Sequence, residues 1–408
     1  WTAEHMTDEA SFRSTAIARN GDVIYLGGSE NKLDNRGQKE ELALLQFSRE
    51  TGEFLSYSAI GVIGRDETAY ALQILENGEI IAAGTSSNAA YAARFDAAGQ
   101  AIEGYQLSAQ DNRLTRARIQ EIAVVDDGFI FVGNHTNGFT DESGFLTKTD
   151  PNGRVMWYRD VGVRGFEHSI LRDVKVRDNG LIVAAGYLFS GSSHFWPTSS
   201  SAHVVAYLPD GTLAWQHALS PGDYLEQASA LELTAEGDLL VAGASRLFGD
   251  GRFQISKLNP EGDVLWRQRV GGQTVDAHND LSLVADGEAR SFTLLSTVRS
   301  SNGILVTRAS QVETYSMPSD INQDGRLDIA DGVCLLDFLF GAGQFPLPCG
   351  DGRRTDPSNQ ALLDGTGDRR VDISDAIQIF GVLFLGSPPP VLGRSCVRIE
   401  GCPGVCSL

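Results

Sequence analysis

One repeat constrains this chain more than anything else in it. From about Ser11 to Ser316, three quarters of the 408 residues, a polar turn is followed again and again by an apolar run that ends in glycine. The copies are Asn20–Gly27, Asn77–Gly84, Asp127–Gly133, Asn179–Gly186 and Glu236–Gly243; a decayed sixth starts at Asp286-Gly287 and runs through Thr293-Leu294-Leu295. Their turn glycines stand 57, 50, 52, 57 and 50 residues apart. A second signature follows the first, clearest as Phe145–Trp157, Val205–Trp215 and Ile255–Trp266, each built around an Asn-Gly, Asp-Gly or Glu-Gly step and closed by tryptophan.

Turns of that composition between apolar or alternating runs are hairpin signals. Two hairpins per repeat give four strands, and four strands at a period of about fifty residues are blades of a propeller. One such sheet cannot cover both its faces, whereas blades stacked side by side cover each other. The sequence therefore predicts a mainly β fold, a six-bladed β-propeller over residues 1–316, with seven blades if Trp1–Ala10 or an unrecognised copy adds one. Trp157, Trp215 and Trp266 recur at one blade position and read as packing between blades rather than as a binding box. The blade signature resembles that of bacterial secreted propellers carrying Gly-x-Ile-x-Val-Ala-Gly, a likeness of repeat type that implies no activity.

Beyond Ser316 the pattern changes. Asp320–Asp331 puts oxygen-bearing side chains at loop positions 1, 3, 5, 9 and 12, with Gly325 at position 6. Such spacing suits Ca²⁺, which takes about six to eight oxygen ligands. Asp320, Asn322 and Asp324 are the expected direct ligands, with the Arg326 backbone carbonyl. Asp328 would act directly or through water, and Asp331 would close the far side. The unit recurs 44 residues later at Asp364–Asp375, where Asp364, Asp368, Asp372 and Asp375 keep their places and Arg370 offers the carbonyl. Thr366 replaces Asn322 and Arg369 replaces Gly325. A non-glycine residue in a left-handed turn costs about 1 kcal/mol, and a hydroxyl is the weaker ligand, so the second calcium site is expected to be weaker.

Each loop is followed by an apolar stripe, Ile329, Val333, Leu336 and Phe340 in the first unit and Ile373, Ile377, Phe380 and Phe384 in the second. Intervals of four, three and four mark one face of a helix. A tandem pair of loop–helix units with aspartate at position 12 resembles the dockerin family over about residues 317–386. That resemblance implies Ca²⁺ on the aspartates named above and a partner module gripped near loop positions 10 and 11. The matching residues, Ile329, Ala330, Ile373 and Ser374, depart from the family's hydroxyl-rich pattern, and the two units lie further apart than usual. Domain bounds follow: a propeller at 1–316, a dockerin-like calcium-binding domain at 317–390 and a cysteine-rich tail at 391–408.

Composition narrows the partners. A net charge of −20 argues against nucleic acid or an anionic membrane, and no apolar run reaches the length of a spanning helix. All five cysteines lie between Cys334 and Cys406. Cys334, inside the first apolar helix, reads as a buried thiol. Cys349, Cys396, Cys402 and Cys406 read as two disulfides with three pairings open. A chain that starts at Trp1 without an initiator methionine reads as mature secreted protein, and the disulfides agree with an extracellular setting.

Catalytic signatures are sparse. His5, His135, His168, His194, His203, His217 and His278 show no metal-ligand spacing, and there is no Gly-x-Ser-x-Gly elbow. No phosphate-cradling glycine loop precedes a helix. Paired carboxylates such as Asp126-Asp127 sit in hairpin turns and serve them. Glu167-His168 and Asp276–Asp280 occupy equivalent stretches between blades and are the candidates for acid–base work. The tryptophan-bearing turns distantly resemble those of quinone-cofactor propellers, without the Asp-x-x-Thr-Gly signature. Ser190–Ser201, polar around Phe195 and Trp196, reads as a contact loop.

The resulting expectation is a non-catalytic, secreted structural or adhesive protein. Its partners would be other copies of itself or an extracellular module, and heterologous contacts would propagate into a filament or lattice. The alternative is a secreted polysaccharide-active or other hydrolase or lyase, anchored to a surface scaffold by the dockerin-like domain.

Overall fold

The computed structural model describes all residues except 1–9, 35–36, 62–64, 108–112, 137–141, 164–165, 192–198, 220–225, 236, 246–251, 271–280, 286–290, 299–302, 311–314, 342–346, 351, 400, 403–404 and 407–408. Strands come in antiparallel meanders taken in chain order. The first sheet holds β1 (Ala10–Asn20), β2 (Val23–Asp34), β3 (Gly37–Ser48) and β4 (Phe54–Ile60). The second holds β5 (Glu67–Ile74), β6 (Ile80–Ser86), β7 (Ala89–Phe95) and β8 (Ala101–Gln106). The third holds β9 (Ala117–Val125), β10 (Gly128–Thr136), β11 (Glu142–Thr149) and β12 (Val155–Val161). The fourth is β13 (His168–Val176), β14 (Ile182–Ser190), β15 (Ser199–Tyr207) and β16 (Leu213–Ala218). The fifth is β17 (Glu226–Leu233), β18 (Leu239–Ser245), β19 (Arg252–Leu258) and β20 (Val264–Val270). A sixth has three strands among the described residues, β21 (Leu281–Ala285), β22 (Ser291–Val298) and β23 (Gly303–Ser310). The chain is thus mainly β and of propeller type, with the predicted six sheets at the predicted period. The decayed turn Asp286-Gly287 and most of the Ser190–Ser201 loop lie outside the described residues.

Two compact units make up the chain, Trp1–Leu231 and Glu232–Leu408. In the first, β1 lies beside β5, β5 beside β9 and β9 beside β13, so the opening strands of consecutive sheets form an inner row. The apolar cores lie between sheets. Ile81, Ala83 and Ala92 of the second sheet close on Ile119, Phe131 and Phe145 of the third. Ile130, Val132 and Leu146 of the third close on Leu171, Ile182 and Val205 of the fourth. Each fully buried Leu, Ile or Phe contributes about 2 kcal/mol, which explains why the repeat, rather than any single sheet, is the stable unit.

The glycine that ends each apolar run has a specific cause. The opening strand carries a β-bulge, with the register slipping between Ala69 and Ala71 against β6, between Leu171 and Asp173 against β14, and opposite Val132 and Gly133 in β9. The extra residues are Tyr70, Arg172 and Gln120. Opposite each bulge stands a glycine whose added Cβ would lie 1.9 Å from a carbonyl oxygen: Gly84 against Thr68, Gly133 against Arg118 and Gly186 against Ile170. Any side chain there would force the ladder apart.

The outer part of each sheet grips a turn of the next. Trp157 donates its indole N–H to the Pro209 carbonyl at 3.1 Å, and a Cβ on Gly211 would stand 2.8 Å from its ring. Trp157 is therefore packing between sheets, as the sequence suggests. Trp266 in the second unit is also buried, but a Cβ on Gly401 of the C-terminal tail would stand 3.0 Å from the Trp266 Cβ. Gly401 has φ +80°, against +79° for Gly211.

Within the second unit, the tail and helices form a small module. It contains α1 (Ile329–Phe340), α2 (Pro357–Leu363), α3 (Ile373–Phe380) and a π-helical turn at Gly381–Leu385. β24 (Tyr315–Ser316) pairs with β25 (Val397–Arg398), returning the tail to the module's start, and α2 packs on β20. Cys349–Cys402 and Cys396–Cys406 are the two disulfides. Cys334 is free, as expected of it, but exposed rather than buried, because α1 turns its Leu335 face to the module core and leaves Cys334 on the opposite side.

Candidate functional site

Both aspartate loops are turns knit together by their own carboxylates and backbone N–H groups. In the first, the buried Asp320 accepts the backbone N–H groups of Asp324 at 3.2 Å and Gly325 at 2.8 Å. Asp331, also buried, accepts from Ile321 at 3.1 Å and Asp328 at 2.9 Å. Asn322 donates to Asp324 at 3.3 Å, and the Arg326 N–H donates to Asp324 at 2.9 Å. In the second loop, the Thr366 hydroxyl lies 3.2 Å from both Asp364 and Asp375 and ties them together. Asp368 donates its N–H to Asp364 at 3.1 Å, and Arg370 donates its own to Asp368 at 2.9 Å. The position-6 turn is left-handed in both, at φ +80° in Gly325 and +67° in Arg369.

Aspartates 9 and 12 of each loop have a second role that sequence reading did not identify. Asp328 and Asp372 are N-caps of α1 and α3, and Asp331 and Asp375 complete reciprocal capping boxes. Burial pushes the Asp331 carboxyl up to about 6, and it raises Asp320 and Asp375 as well. An acidic, oxygen-only donor set with buried carboxylates fits a hard divalent cation. Among the described residues, however, no three His, Cys, Asp or Glu side chains stand together in an arrangement that would hold a metal.

The apolar stripes divide. Leu336 and Phe380 pack against the module core of Leu335, Leu362, Ala376 and Ile379. Ile329, Val333 and Phe340 are 56, 54 and 71 % exposed, and Ile373, Ile377 and Phe384 are 48, 62 and 65 % exposed. Equivalent residues of the two units thus present apolar surface, because α2 and the tail build the core from the other side.

The histidine candidates resolve into structural roles. His168 is buried; its Nδ1 accepts the Glu142 N–H at 3.2 Å and its Nε2 faces the Gly191 carbonyl at 3.1 Å. Glu167 accepts the Gly191 N–H at 3.0 Å. Both thus tie the ends of neighbouring strands together. Asp276–Asp280, His5 and His194 lie outside the described residues. Asp127 pairs with Lys148 at 2.7 Å at its turn. His135 Nε2 lies 2.9 Å from Asp160, which also accepts the Tyr158 hydroxyl at 2.7 Å.

Sequence reading missed the pair that follows the bulges. Glu121 and Asp173 come directly after the extra residues Gln120 and Arg172 on adjoining opening strands. Burial, with the Asp173 carboxylate beside it, pushes the half-buried Glu121 up to about 8. Asp173 accepts N–H bonds from Val174 and Leu231, each at 2.7 Å. The two carboxyls thus stand in different surroundings, Glu121 half-buried beside a neighbouring carboxylate and Asp173 tied to two backbone N–H groups. The signal was present: positions 121 and 173 are 52 apart, as are Gly128 and Gly180.

No protein-family model matches the chain, and no curated protein does. Solved structures similar to it include an ulvan lyase bound to an oligosaccharide, at 12 % identity and TM-score 0.45, covering 72 % of this chain and 78 % of that one. Others are a protein of unknown function from Dyadobacter fermentans (12 %, 0.48, covering 74 and 97 %) and the Dos1 propeller (10 %, 0.44, covering 73 and 85 %). These likenesses concern the fold. The expectation of a non-catalytic chain does not stand as a reading of the fold: a polysaccharide lyase is among the similar structures, and a propeller fold by itself decides neither for nor against catalysis. No helix among the described residues is long and apolar enough to cross a membrane.

Proposed function

We propose that this chain is a secreted polysaccharide-active enzyme of the hydrolase or lyase type, attached to an extracellular scaffold through its C-terminal module. The observation that supports it best is the Glu121–Asp173 pair, two carboxyls at the same step of adjoining opening strands, with the Glu121 carboxyl raised by burial and by its neighbour. In hydrolysis, Glu121 would protonate the departing glycosidic oxygen while Asp173 takes a proton from the attacking water. In elimination, Asp173 would take the ring proton next to a sugar carboxyl while Glu121 protonates the leaving oxygen.

The C-terminal module serves attachment in this reading. Asp320, Asn322, Asp324, the Arg326 carbonyl, Asp328 and Asp331 would hold one Ca²⁺, and Asp364, Thr366, Asp368, the Arg370 carbonyl, Asp372 and Asp375 a weaker second. The exposed Ile329, Val333, Ile373 and Ile377 would then meet the scaffold module.

Incubating purified protein with acidic and neutral polysaccharides tests the enzymatic reading. New reducing ends without ultraviolet-absorbing ends would identify a hydrolase, and unsaturated ends a lyase. Glu121→Gln and Asp173→Asn should each lose 10²-fold or more in rate, roughly the share of a general acid or base. Since only the protonated form of Glu121 acts, the rate should fall as pH rises through about 8. No product from any polysaccharide, or full activity in Glu121→Gln, overturns the proposal.

A further inference from the structure

The bulges bring together side chains that the inter-sheet cores do not use. Tyr70, Gln120 and Arg172 are the extra residues of three consecutive opening strands. The Arg118 guanidinium stands 5.0 Å from the centre of the Tyr70 ring, across a sheet boundary. Arg172 donates to the Gln120 carbonyl at 3.1 Å across the next boundary, and Gln120 donates to Asn134 at 3.4 Å. Arg172 also donates to the Tyr187 hydroxyl at 3.4 Å and lies 5.8 Å from that ring's centre. Arg118 is exposed, and among the described residues no carboxylate pairs with it. In a chain with 53 acids against 33 bases, a guanidinium left without a carboxylate keeps a local positive potential.

We infer that the row Tyr70, Arg118, Gln120, Asn134 and Arg172, backed by the buried Tyr187, binds an acidic saccharide, with Arg118 receiving its carboxylate or sulfate. This deepens the proposed activity and rests on it for the reaction but not for the binding. Arginine's planar fork matches both anions. The amides of Gln120 and Asn134 supply donors and acceptors for hydroxyls, and tyrosine offers an apolar face with a polar tip to a sugar ring. Glu121 and Asp173 follow Gln120 and Arg172 directly in the chain, so the row and the carboxyl pair share the same stretch of the opening strands.

The test is calorimetric binding of oligogalacturonate and of a heparin-derived oligosaccharide to the full chain. Controls are a carboxyl-reduced neutral oligosaccharide, inorganic sulfate and oligoglutamate. At least one acidic saccharide should bind, more weakly as salt rises. Arg118→Gln should weaken it by about tenfold or more while leaving the melting temperature unchanged; Arg118→Lys should recover part of the loss. Binding of neither acidic saccharide, equal binding of the neutral one, binding of sulfate or oligoglutamate alone, or wild-type affinity in Arg118→Gln overturns the assignment. Binding without cleavage leaves this inference standing and overturns only the catalytic reading.

Discussion

His203 is fully buried on β15, and neither of its ring nitrogens finds a hydrogen-bond partner among the described residues. Burial, with His217 beside it, holds its pKa down to about 4. The unfolded chain binds this proton near pH 6.5, so the folded state suffers no penalty above that value. Stability is lost as pH falls from about 6.5 toward 4, because over that range the unfolded chain takes up a proton that the fold refuses. By pH 4.5 the loss should reach about 2.5 kcal/mol. Urea titrations of wild type and His203→Leu at pH 7 and 4.5 check it; an equal acid slope in both sinks the assignment. Sequence reading found His203 as one histidine of seven and gave it no role. Its state depends on which strand covers it, and covering strands are remote in sequence.

A bulged opening strand and its facing glycine form one device, repeated in at least three sheets. The glycine was legible because it closes five of the six apolar runs, and the turn glycines were legible from their hairpin chemistry. The bulge was not, since an extra residue in a paired strand has no residue-type signature; only the register shows it. The two kinds of glycine should therefore respond differently to alanine. Gly21 has φ +57° with nothing within 4 Å of an added Cβ, so Gly21→Ala should cost about 1 kcal/mol of left-handed strain. Gly133→Ala would set a Cβ 1.9 Å from the Arg118 oxygen, and the strand must move, at a cost of roughly 3 kcal/mol or more. Thermal melts of both variants decide; equal costs would mean that the ladder at the bulge yields freely. The loop–helix units show the same limit. Their apolar spacing announced helices, but spacing alone could not say that Ile329 and Ile377 face outward while Leu335 and Ile379 face in.

Two compact units imply two unfolding transitions, and the tail decides what belongs to the second. Gly401 comes up against Ser358 of α2 and the Trp266 Cβ of β20, so the tail touches the last strand of the fifth sheet, without the indole N–H bond to a turn carbonyl that Trp157 makes. Cys349–Cys402 fixes that contact, and α2 packs on the same strand. The compact unit Glu232–Leu408 holds β18–β23 together with the helices, on both sides of the expected boundary at 316. The loops and the last sheets should consequently melt together. Calcium at about a hundredfold excess over its dissociation constant would add about 2.7 kcal/mol, or roughly 5–10 °C for a unit of this size. Calorimetry with and without EDTA should move one transition by that amount and leave the other in place. Gly401→Ala, whose Cβ would stand 2.4 Å from Ser358 Oγ and 3.0 Å from Trp266 Cβ, should lower the same transition. Gly393→Ala, at φ +85° in open space, should lower it by only about 1 kcal/mol. If EDTA shifts neither transition the loops hold no stabilising ion, and if EDTA and Gly401→Ala move different transitions the module and the last sheets do not fold as one.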